Sequence, residues 1–320
     1  MMNTRIRLDT RIPDEQAGRR LDQVLAELFP DYSRSRLSQW IKAGQVRLDD
    51  RLPRPRDAVL GGEQVLIDAE LEPEGRVEAE AIPLDVVYED EAILVLHKPV
   101  GLVVHPAAGN LDGTLQNALL HHDPSLVTLP RAGIVHRLDK DTSGLMVVAR
   151  SLVAHKSLVE QLQTHTMGRE YQAVVQRVLT AGGTVDAPIG RHGVDRKRMA
   201  VTPGGKPAVT HYRVVERLRG HTHVSVRLET GRTHQIRVHM AHIHCPLVGD
   251  PVYGGRPRIP KGTGEALREA LRGFPRQALH AARLTLRHPL SGEEMSWEIP
   301  LPEDMQELLA ILRADLQDNP

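Results

Sequence analysis

Apolar residues at helical spacing mark the first folded element of the chain. The side chains concerned are Leu21, Val24, Leu25 and Leu28. Positions i, i+3, i+4 and i+7 share one face of an α-helix. The spacing therefore predicts a helix with one buried face that ends near Pro30, since proline disfavours a helix interior.

A second helix is predicted directly afterwards. Ser33 is a favourable N-cap and Gly44 a favourable helix end. Between them, Leu37, Trp40 and Ile41 recur at helical spacing and form the expected buried face. Apolar runs at 46–48 and 64–67, with a turn at Asp49-Asp50, predict strands after this helix.

Four basic side chains accompany the second helix and the strand after it. They are Arg34, Arg36, Lys42 and Arg47. A compact helix pair with a basic face would suit RNA, although an ordinary solvated helix explains the same residues about as well.

The pattern changes after a glutamate-rich stretch, 69–80, which has little to bury and is interpreted as a linker. Short β-type runs then follow at 85–90, 92–98, 101–105, 144–149, 171–175, 209–215 and 223–229. Helical patterns occur at 114–121, 152–165 and 265–271. Because strands and helices do not alternate regularly, the class expected is α+β with a mainly antiparallel mixed sheet.

Composition constrains the kind of protein and its compartment. The chain has 320 residues, of which 40% are hydrophobic, and this fits a folded protein of more than one domain. A single cysteine, Cys245, argues against a disulfide scaffold and suits a reducing cytoplasm. The sequence has no apolar run of membrane-spanning length, and residues 1–16 lack the apolar centre of a signal peptide.

The net charge of zero, from 41 basic and 41 acidic side chains, hides a segmental pattern. Basic stretches at 34–56, 191–219 and 256–287 are offset by acidic stretches at 68–91 and from residue 303 onward. Such alternation can be a solvated surface or a locally positive face, so charge alone leaves a nucleic-acid partner open.

The segment HRLDKDTSG (136–144) lies between two apolar runs and carries two carboxylates. It could be a hairpin loop whose polar side chains bond their own backbone. It could instead hold a cation between Asp139 and Asp141, although Arg137 and Lys140 would repel a divalent ion. A third interpretation is a single carboxylate that acts as a nucleophile beside an arginine.

A second polar segment, 228–255, is rich in histidine. The spacings of His234, His239, His242 and His244 do not match zinc-site patterns, which favours structural or RNA-facing histidines. The helical run QIRVHMA would aim Arg237 into a cleft. The glycines at 249, 254 and 255 form no phosphate-binding or dinucleotide motif, so no nucleotide cofactor is expected.

Three motifs together resemble the signatures of the RluA-type pseudouridine synthases: HKPVGLVVHP (97–106), HRLDKDTSG (136–144) and TGRTHQIRVH (230–239). Residues 18–67 resemble an S4-type RNA-binding domain. The expected organisation is an N-terminal extension (1–17), an S4-like domain (18–68), an acidic linker (69–80) and a catalytic domain (81–320) with the pseudouridine synthase fold. His97 replaces the commoner Asn, and Asp49-Asp50 replaces the usual Asn-Gly turn.

The resemblance implies roles for individual residues. Asp139 would be the catalytic nucleophile and Arg237 the arginine that pairs with it. Tyr171 would pack on the target base, Arg137 would fill space beside the extruded nucleotide, and Leu247 would line the pocket. The implied RNA-binding residues of the S4-like domain are Arg34, Arg36, Lys42 and Arg47.

The resemblance also implies a substrate, namely 23S ribosomal RNA with target uridines in the loop of helix 69. No metal, no cofactor and no membrane would be needed, and the enzyme would act as a cytoplasmic monomer. Three alternatives remain at this point: a synthase for another ribosomal or transfer RNA site, a non-catalytic S4-type binding or ribosome assembly factor, and a histidine-metal hydrolase.

Overall fold

In the computed structural model the chain divides into two compact units, Met1–Arg76 and Val77–Pro320. The structure describes residues 4–29, 32, 34–49, 51–71, 77–107, 109–195 and 198–319. None of the helices formed by these residues is long and apolar enough to cross a lipid bilayer.

The first unit packs two helices on a three-stranded antiparallel sheet of order β1-β3-β2. Its elements are β1 (Thr4–Arg11), α1 (Leu21–Leu28), α2 (Arg34–Lys42), β2 (Val46–Leu48) and β3 (Gln64–Leu71). The apolar faces expected from the spacing are buried in one common core. The two predicted helices and two predicted strands are therefore confirmed.

The predicted end of α2 lies within the described residues, whereas three other predicted cap, end and turn residues do not. Gly44 has a φ of 74°, the left-handed conformation that favours glycine after a helix. The expected N-cap Ser33, the helix-ending Pro30 and the turn residue Asp50 lie outside the described residues. Asp49 holds a φ of 51°, which aspartate tolerates better than most residues.

The observed units do not coincide with the expected domain boundaries. β1 lies within the segment expected as an extension, yet it pairs along its whole length with β3. At the other end, residues 69–71 of the expected linker continue β3. Glu80 joins the second unit, because its backbone N–H donates to the Asn117 carbonyl at 3.1 Å.

The second unit contains eleven strands and five helices in its described residues. The strands are β4 (Asp85–Glu89), β5 (Ile93–Lys98), β6 (Ser143–Ala149), β7 (Gly168–Gln176), β8 (Gly183–Asp186), β9 (Ile189–Arg191), β10 (Met199–Val201), β11 (Val209–Arg217), β12 (His221–Leu228), β13 (Leu279–Arg287) and β14 (Glu294–Glu298). The helices are α3 (Leu115–His122), α4 (Leu152–Gln163), α5 (Gln235–His242), α6 (Glu265–Gly273) and α7 (Glu303–Asp318).

Nine of these strands form one sheet, in the order β4-β5-β6-β13-β7-β12-β11-β8, with β14 also paired to β13. Strands β6 and β13 are parallel, and the other pairs of this sheet are antiparallel. Strands β9 and β10 form a separate hairpin. The predicted α+β class with a mainly antiparallel mixed sheet is confirmed.

Helices cover both faces of the sheet around β6, whose residues are all buried. Met146 and Val148 pack in the same core as α3 and α5, whereas Leu145 and Val147 pack with α4 on the other face. Side chains alternate between the faces of a strand, so this continuous apolar run fits a strand buried on both sides.

The expected strand at 101–105 is not formed. The run 101–105 was expected to be a strand, but Gly101 adopts a φ of 84° and Val103 makes only an isolated bridge to Thr114. This apolar run is a loop that buries Val104 in the core beside α3. The acidic segment from residue 303 forms α7 and buries one apolar face.

Gly144 closes the HRLDKDTSG segment where β6 meets the parallel strand β13. Its φ is 128°, and a Cβ on it would lie 2.3 Å from the carbonyl oxygen of Ala281. Both the conformation and the close approach exclude a side chain here.

We expect Gly144→Ala to lower the free energy of unfolding by about 1–3 kcal/mol, because β6 and β13 must separate to admit the methyl group. Gly193→Ala is the control: a Cβ at Gly193 meets no atom within 4 Å, so its effect should stay within about 0.5 kcal/mol. Urea unfolding of both variants measures the difference. Equal stability of the two variants would contradict the argument.

Candidate active site

The polar segment before β6 forms one wall of a cavity of about 590 Å³ in the second unit. An isolated bridge between Ile134 and Val148 fixes the start of this segment, and Gly144 fixes its end at β13. The backbone turns tightly at its centre, where the Thr142 N–H donates to the Asp139 carbonyl at 3.1 Å. The segment is thus a loop, and its centre presents Asp139 to the cavity.

Asp139 forms an ion pair with Arg237 of α5. The Nη1 atom of Arg237 donates to Oδ2 of Asp139 at 2.9 Å. The carboxylate side chain is 17% exposed and the guanidinium 6% exposed. The structure therefore brings together two residues 98 positions apart in the sequence, in the pairing that the resemblance implied.

A second carboxylate, Asp250, fixes the orientation of Arg237. Asp250 accepts from Nε of Arg237 at 2.7 Å and from Nη2 at 3.0 Å, and its side chain is fully buried. Burial alone would lower the pKa of Arg237, but the hydrogen bonds and charges of Asp250 and Asp139 outweigh it and raise that pKa. Because two donors are held by Asp250, Nη1 is left directed at Asp139.

The Asp250 carboxylate is itself held by a tight turn. Its Oδ1 atom accepts from the backbone N–H groups of Val252 at 2.9 Å and Tyr253 at 3.0 Å. Burial would raise the pKa of Asp250, but Arg237 and these backbone donors lower it. The ring of Tyr253 lies against the guanidinium, with 5.1 Å between Cζ of Arg237 and the ring centroid.

Lys98 binds the backbone of the loop that carries Asp139. Its Nζ donates to the carbonyl oxygens of Pro99 at 2.7 Å, Leu102 at 3.0 Å and Lys140 at 3.0 Å. The side chain is fully buried, and burial lowers its pKa to about 8 against the opposing charges of Asp141 and Asp139. Lys98, which belongs to the motif at 97–106, therefore connects the backbone of residues 99–102 to the loop that carries Asp139.

Tyr171 on β7 lines the same cavity as Asp139. The side chain is buried, at 6% exposure, and burial raises the pKa of its hydroxyl. Arg137 is exposed at the cavity wall. Leu247, in contrast, is fully buried in the core beside β7 and is not among the residues that line the cavity.

The positive charge at the cavity does not come from the basic segments of the sequence. Its wall carries Arg131, Arg137, Arg169 and Arg232 in addition to Arg237. Some arginines of the basic segments instead anchor α7: Arg219 pairs with Asp315 at 2.8 Å and Arg276 with Asp304 at 2.6 Å. Acidic side chains of α7 therefore neutralise part of the positive charge of the basic segments 191–219 and 256–287.

In the first unit, the four basic residues differ in their surroundings. Arg34 is tied to Asp22, with 2.8 Å between Nη2 and Oδ2. Burial would raise the pKa of Asp22, but its hydrogen bonds with Arg20 and Arg34 lower it. Lys42 and Arg47 are exposed and Arg36 is half-buried. A surface depression beside Lys42 also includes Arg54 and Arg56.

The histidines of the second polar segment separate into different roles. His239 is buried and bonded within the fold, through Nδ1 to the Thr210 hydroxyl at 2.8 Å and through Nε2 to the Ala187 carbonyl at 2.9 Å. His234 lines the cavity. Across the described residues, no three His, Cys, Asp or Glu side chains are grouped closely enough to share a metal ion.

The sequence indicated no role for Asp250, Tyr253 and Lys98, and for His234 it indicated only a structural or RNA-facing one. Lys98 and His234 lie inside the recognised motifs, so their position was available as a signal. The Arg237–Asp250 pair links a helix to a turn 13 residues later, and no spacing rule for helices or strands predicts that contact.

Comparison with known proteins gives consistent matches over both units. Residues 92–242 match the family model for RNA pseudouridylate synthase, and residues 19–65 match the S4 domain. The chain is 60% identical to ribosomal large subunit pseudouridine synthase D of Escherichia coli O157:H7 over 319 residues, covering 99% of this chain and 98% of that protein. The protein of the same name from Pseudomonas aeruginosa is 60% identical over 314 residues, with 98% of each chain covered.

Solved structures show the same relationship. Human RNA pseudouridylate synthase domain containing 4 superposes with a TM-score of 0.57 at 27% identity, covering 72% of this chain and 93% of its own. Human RNA pseudouridylate synthase domain containing 1 gives a TM-score of 0.51 at 25% identity, with 74% and 97% covered.

The buried charges give a stability prediction. Asp250→Asn keeps the shape of the side chain but removes one of the two carboxylates that compensate Arg237, so we expect a loss of about 3–5 kcal/mol in unfolding free energy. Glu298→Gln is the matched control, because its pair with Arg283 is solvent-exposed and should contribute less than about 1 kcal/mol. Urea unfolding compares the two. A loss of equal size at both sites would show that Asp250 does not stabilise the arginine.

Proposed function

This chain belongs to the RNA pseudouridylate synthase family, and on that premise we propose that Asp139 is its catalytic carboxylate and that large-subunit ribosomal RNA is its substrate. The observation that supports the first proposal is the Asp139–Arg237 pair at the cavity wall. The reaction of the family breaks the N1–C1′ bond of a uridine, turns the uracil and rejoins it through C5. The catalytic carboxylate has to stay close to the sugar and the base during all of these steps.

Asp139 has the properties that this chemistry requires. A carboxylate can stabilise a cationic sugar or add covalently to the sugar or the base. Arg237 supplies a countercharge at 2.9 Å and fixes the orientation of Oδ2. Oδ1 has no such partner in the described part of the chain closer than His234 at 3.9 Å, so this oxygen can approach the substrate.

The cavity can accept one nucleotide taken out of the RNA structure. An enzyme that reacts at a base or its glycosidic bond has to extrude the nucleotide first. Tyr171 offers a ring on which the uracil can pack, a contact that contributes about 1–3 kcal/mol in other nucleic-acid proteins. Arg137 is exposed at the wall and would fill the space beside the extruded nucleotide.

The substrate proposal rests on the relatives named ribosomal large subunit pseudouridine synthase D, which match both units of this chain along nearly their whole length. We infer 23S ribosomal RNA as the target, with the modified uridines in the loop of helix 69. The cavity arginines would contact phosphates, and the S4 unit would bind flanking RNA through Lys42 and Arg47. RNA readers generally recognise such loops by shape and splayed bases.

Asp139→Asn tests the catalytic assignment. Pseudouridine formation should fall by about 10³-fold or more, because the amide cannot act as a nucleophile or stabilise positive charge. RNA binding should persist. The assay maps pseudouridine in total ribosomal and transfer RNA from cells that contain either the wild type, the variant or no enzyme.

Asp141→Asn in the same loop is the control and should retain most activity. A pair of carboxylates that binds a metal ion would need both residues and would lose activity on chelation. Wild-type modification confined to another ribosomal site or to transfer RNA would overturn the substrate proposal while leaving the catalytic one intact.

The S4 unit gives a separate prediction. Removing two exposed charges with Lys42→Ala and Arg47→Ala should weaken RNA binding and reduce the salt dependence by about one ion per lost phosphate contact. A filter-binding series in increasing salt measures both quantities. The control replaces Arg283 and Arg287 of β13, which are also exposed. If both double variants lose the same affinity, the S4 residues contribute only general charge.

A further inference from the structure

Rejoining uracil to the sugar through C5 requires two proton transfers, and the Asp139–Arg237 pair accounts for neither of them. Once the C5–C1′ bond has formed, C5 still carries its hydrogen, which has to leave as a proton. N1, which lost its bond to the sugar, has to gain one. A base close to Asp139 is therefore required, and this inference rests on the proposed role of Asp139.

Several titratable groups of the cavity are poorly suited to this step. Burial raises the pKa of Tyr171, so its hydroxyl keeps its proton. His136 accepts from the Val147 N–H at 3.1 Å through Nε2, and burial lowers its pKa to about 3. Asp139 has one oxygen held by Arg237, and its other oxygen is already assigned to the substrate in the proposed reaction.

A better placed group is His234, which lies directly beside the carboxylate. Its Nε2 atom lies 3.9 Å from Oδ1 of Asp139, and its side chain is 23% exposed within the cavity wall. The residue precedes α5 with a φ of 56°, in the left-handed region. A uracil turning beside Asp139 would meet this ring nitrogen.

The other ring nitrogen is fixed by Tyr253. Nδ1 of His234 lies 2.9 Å from the Tyr253 hydroxyl oxygen, which also accepts from the Met199 N–H at 2.9 Å. A hydroxyl oxygen can accept from both donors. If Nδ1 carries the proton and donates it to Tyr253, Nε2 presents a lone pair to the cavity.

Burial of His234 favours the neutral ring. Burial is the main cause that lowers its pKa, and Arg237 and Arg137 act in the same direction. Asp139 and Asp250 oppose them without reversing the shift. The Tyr253 hydroxyl, the remaining ionisable group in contact with the ring, keeps its proton because burial raises its pKa. At neutral pH the ring can therefore accept a proton.

We propose that His234 is a further catalytic residue, whose Nε2 accepts the proton from C5 of the rearranged uracil, and that Tyr253 is a positioning residue that sets its tautomer. The C5–H bond breaks, its electron pair restores the C5–C6 double bond, and the π pair between C6 and N1 moves onto N1. N1 then takes a proton from water, and His234 returns its proton to the solvent.

The test uses the full-length enzyme and an RNA substrate with deuterium at C5 of the target uridine. In His234→Asn, kcat should fall by about 10²-fold, as expected for loss of a general base, and KM should stay unchanged. C5–H cleavage should become rate-limiting, so the isotope effect on kcat should be larger than in the wild type. Asparagine tolerates the left-handed φ, which preserves the start of α5.

His234→Gly provides a second, independent readout. Glycine also accepts this φ, and added imidazole should restore part of the rate by replacing the missing ring. Tyr253→Phe keeps the ring on Arg237 but removes the hydroxyl, so it should show a smaller isotope effect of the same sign.

His244→Asn is the matched control, because His244 has a φ of 62°, is exposed and follows α5 at its other end. It should show no isotope effect beyond that of the wild type. The proposal is overturned if His234→Asn keeps the wild-type rate, or if its rate falls with the wild-type isotope effect and imidazole does not restore the rate of His234→Gly. Failure of the Asp139 assignment is distinct, since Asp139→Asn would then still form product.

Discussion

The arrangement of the cavity depends on one buried arginine. Arg237 contacts Asp139 in the loop before β6 and Asp250 in the turn after α5. A buried guanidinium is tolerated only when it is paired, and here it draws two carboxylates from separate parts of the chain towards one helix. Asp250 takes Nε and Nη2, so Nη1 is directed at Asp139. Asp250 thus sets the orientation of Asp139, the proposed catalytic carboxylate, although Asp250 does not line the cavity.

The Asp139 loop is also held through its backbone. Lys98 donates to the Lys140 carbonyl, and Arg276, itself paired with Asp304 of α7, approaches the Asp141 carbonyl at 3.4 Å. Main-chain contacts of this kind restrict the loop whatever its side chains are. They connect the central strand β13, which begins three residues after Arg276, and the C-terminal helix to the position of the reacting group. α7 therefore supports the site although it contributes no residue to the cavity wall.

The distribution of charge acquires a different meaning in three dimensions. Segments that are basic in sequence use Arg219 and Arg276 as internal partners of α7. The cavity takes its arginines from positions outside those segments. A linear count cannot separate these uses, because an arginine that anchors a helix and one that meets a phosphate look identical in composition. The zero net charge therefore has little bearing on RNA binding.

The sequence by itself determined the local elements and the reaction family. Helical spacing identified α1 and α2, apolar runs identified most strands, and two of the three motifs carried Asp139 and Arg237. These signals reside within a few neighbouring residues. Only the tertiary structure decided that α7 is a packed helix, that 101–105 is a loop, that Leu247 is core and that Asp250, Tyr253 and His234 surround the ion pair. These outcomes follow from contacts between elements distant in the chain, and such contacts leave no periodic trace in the sequence.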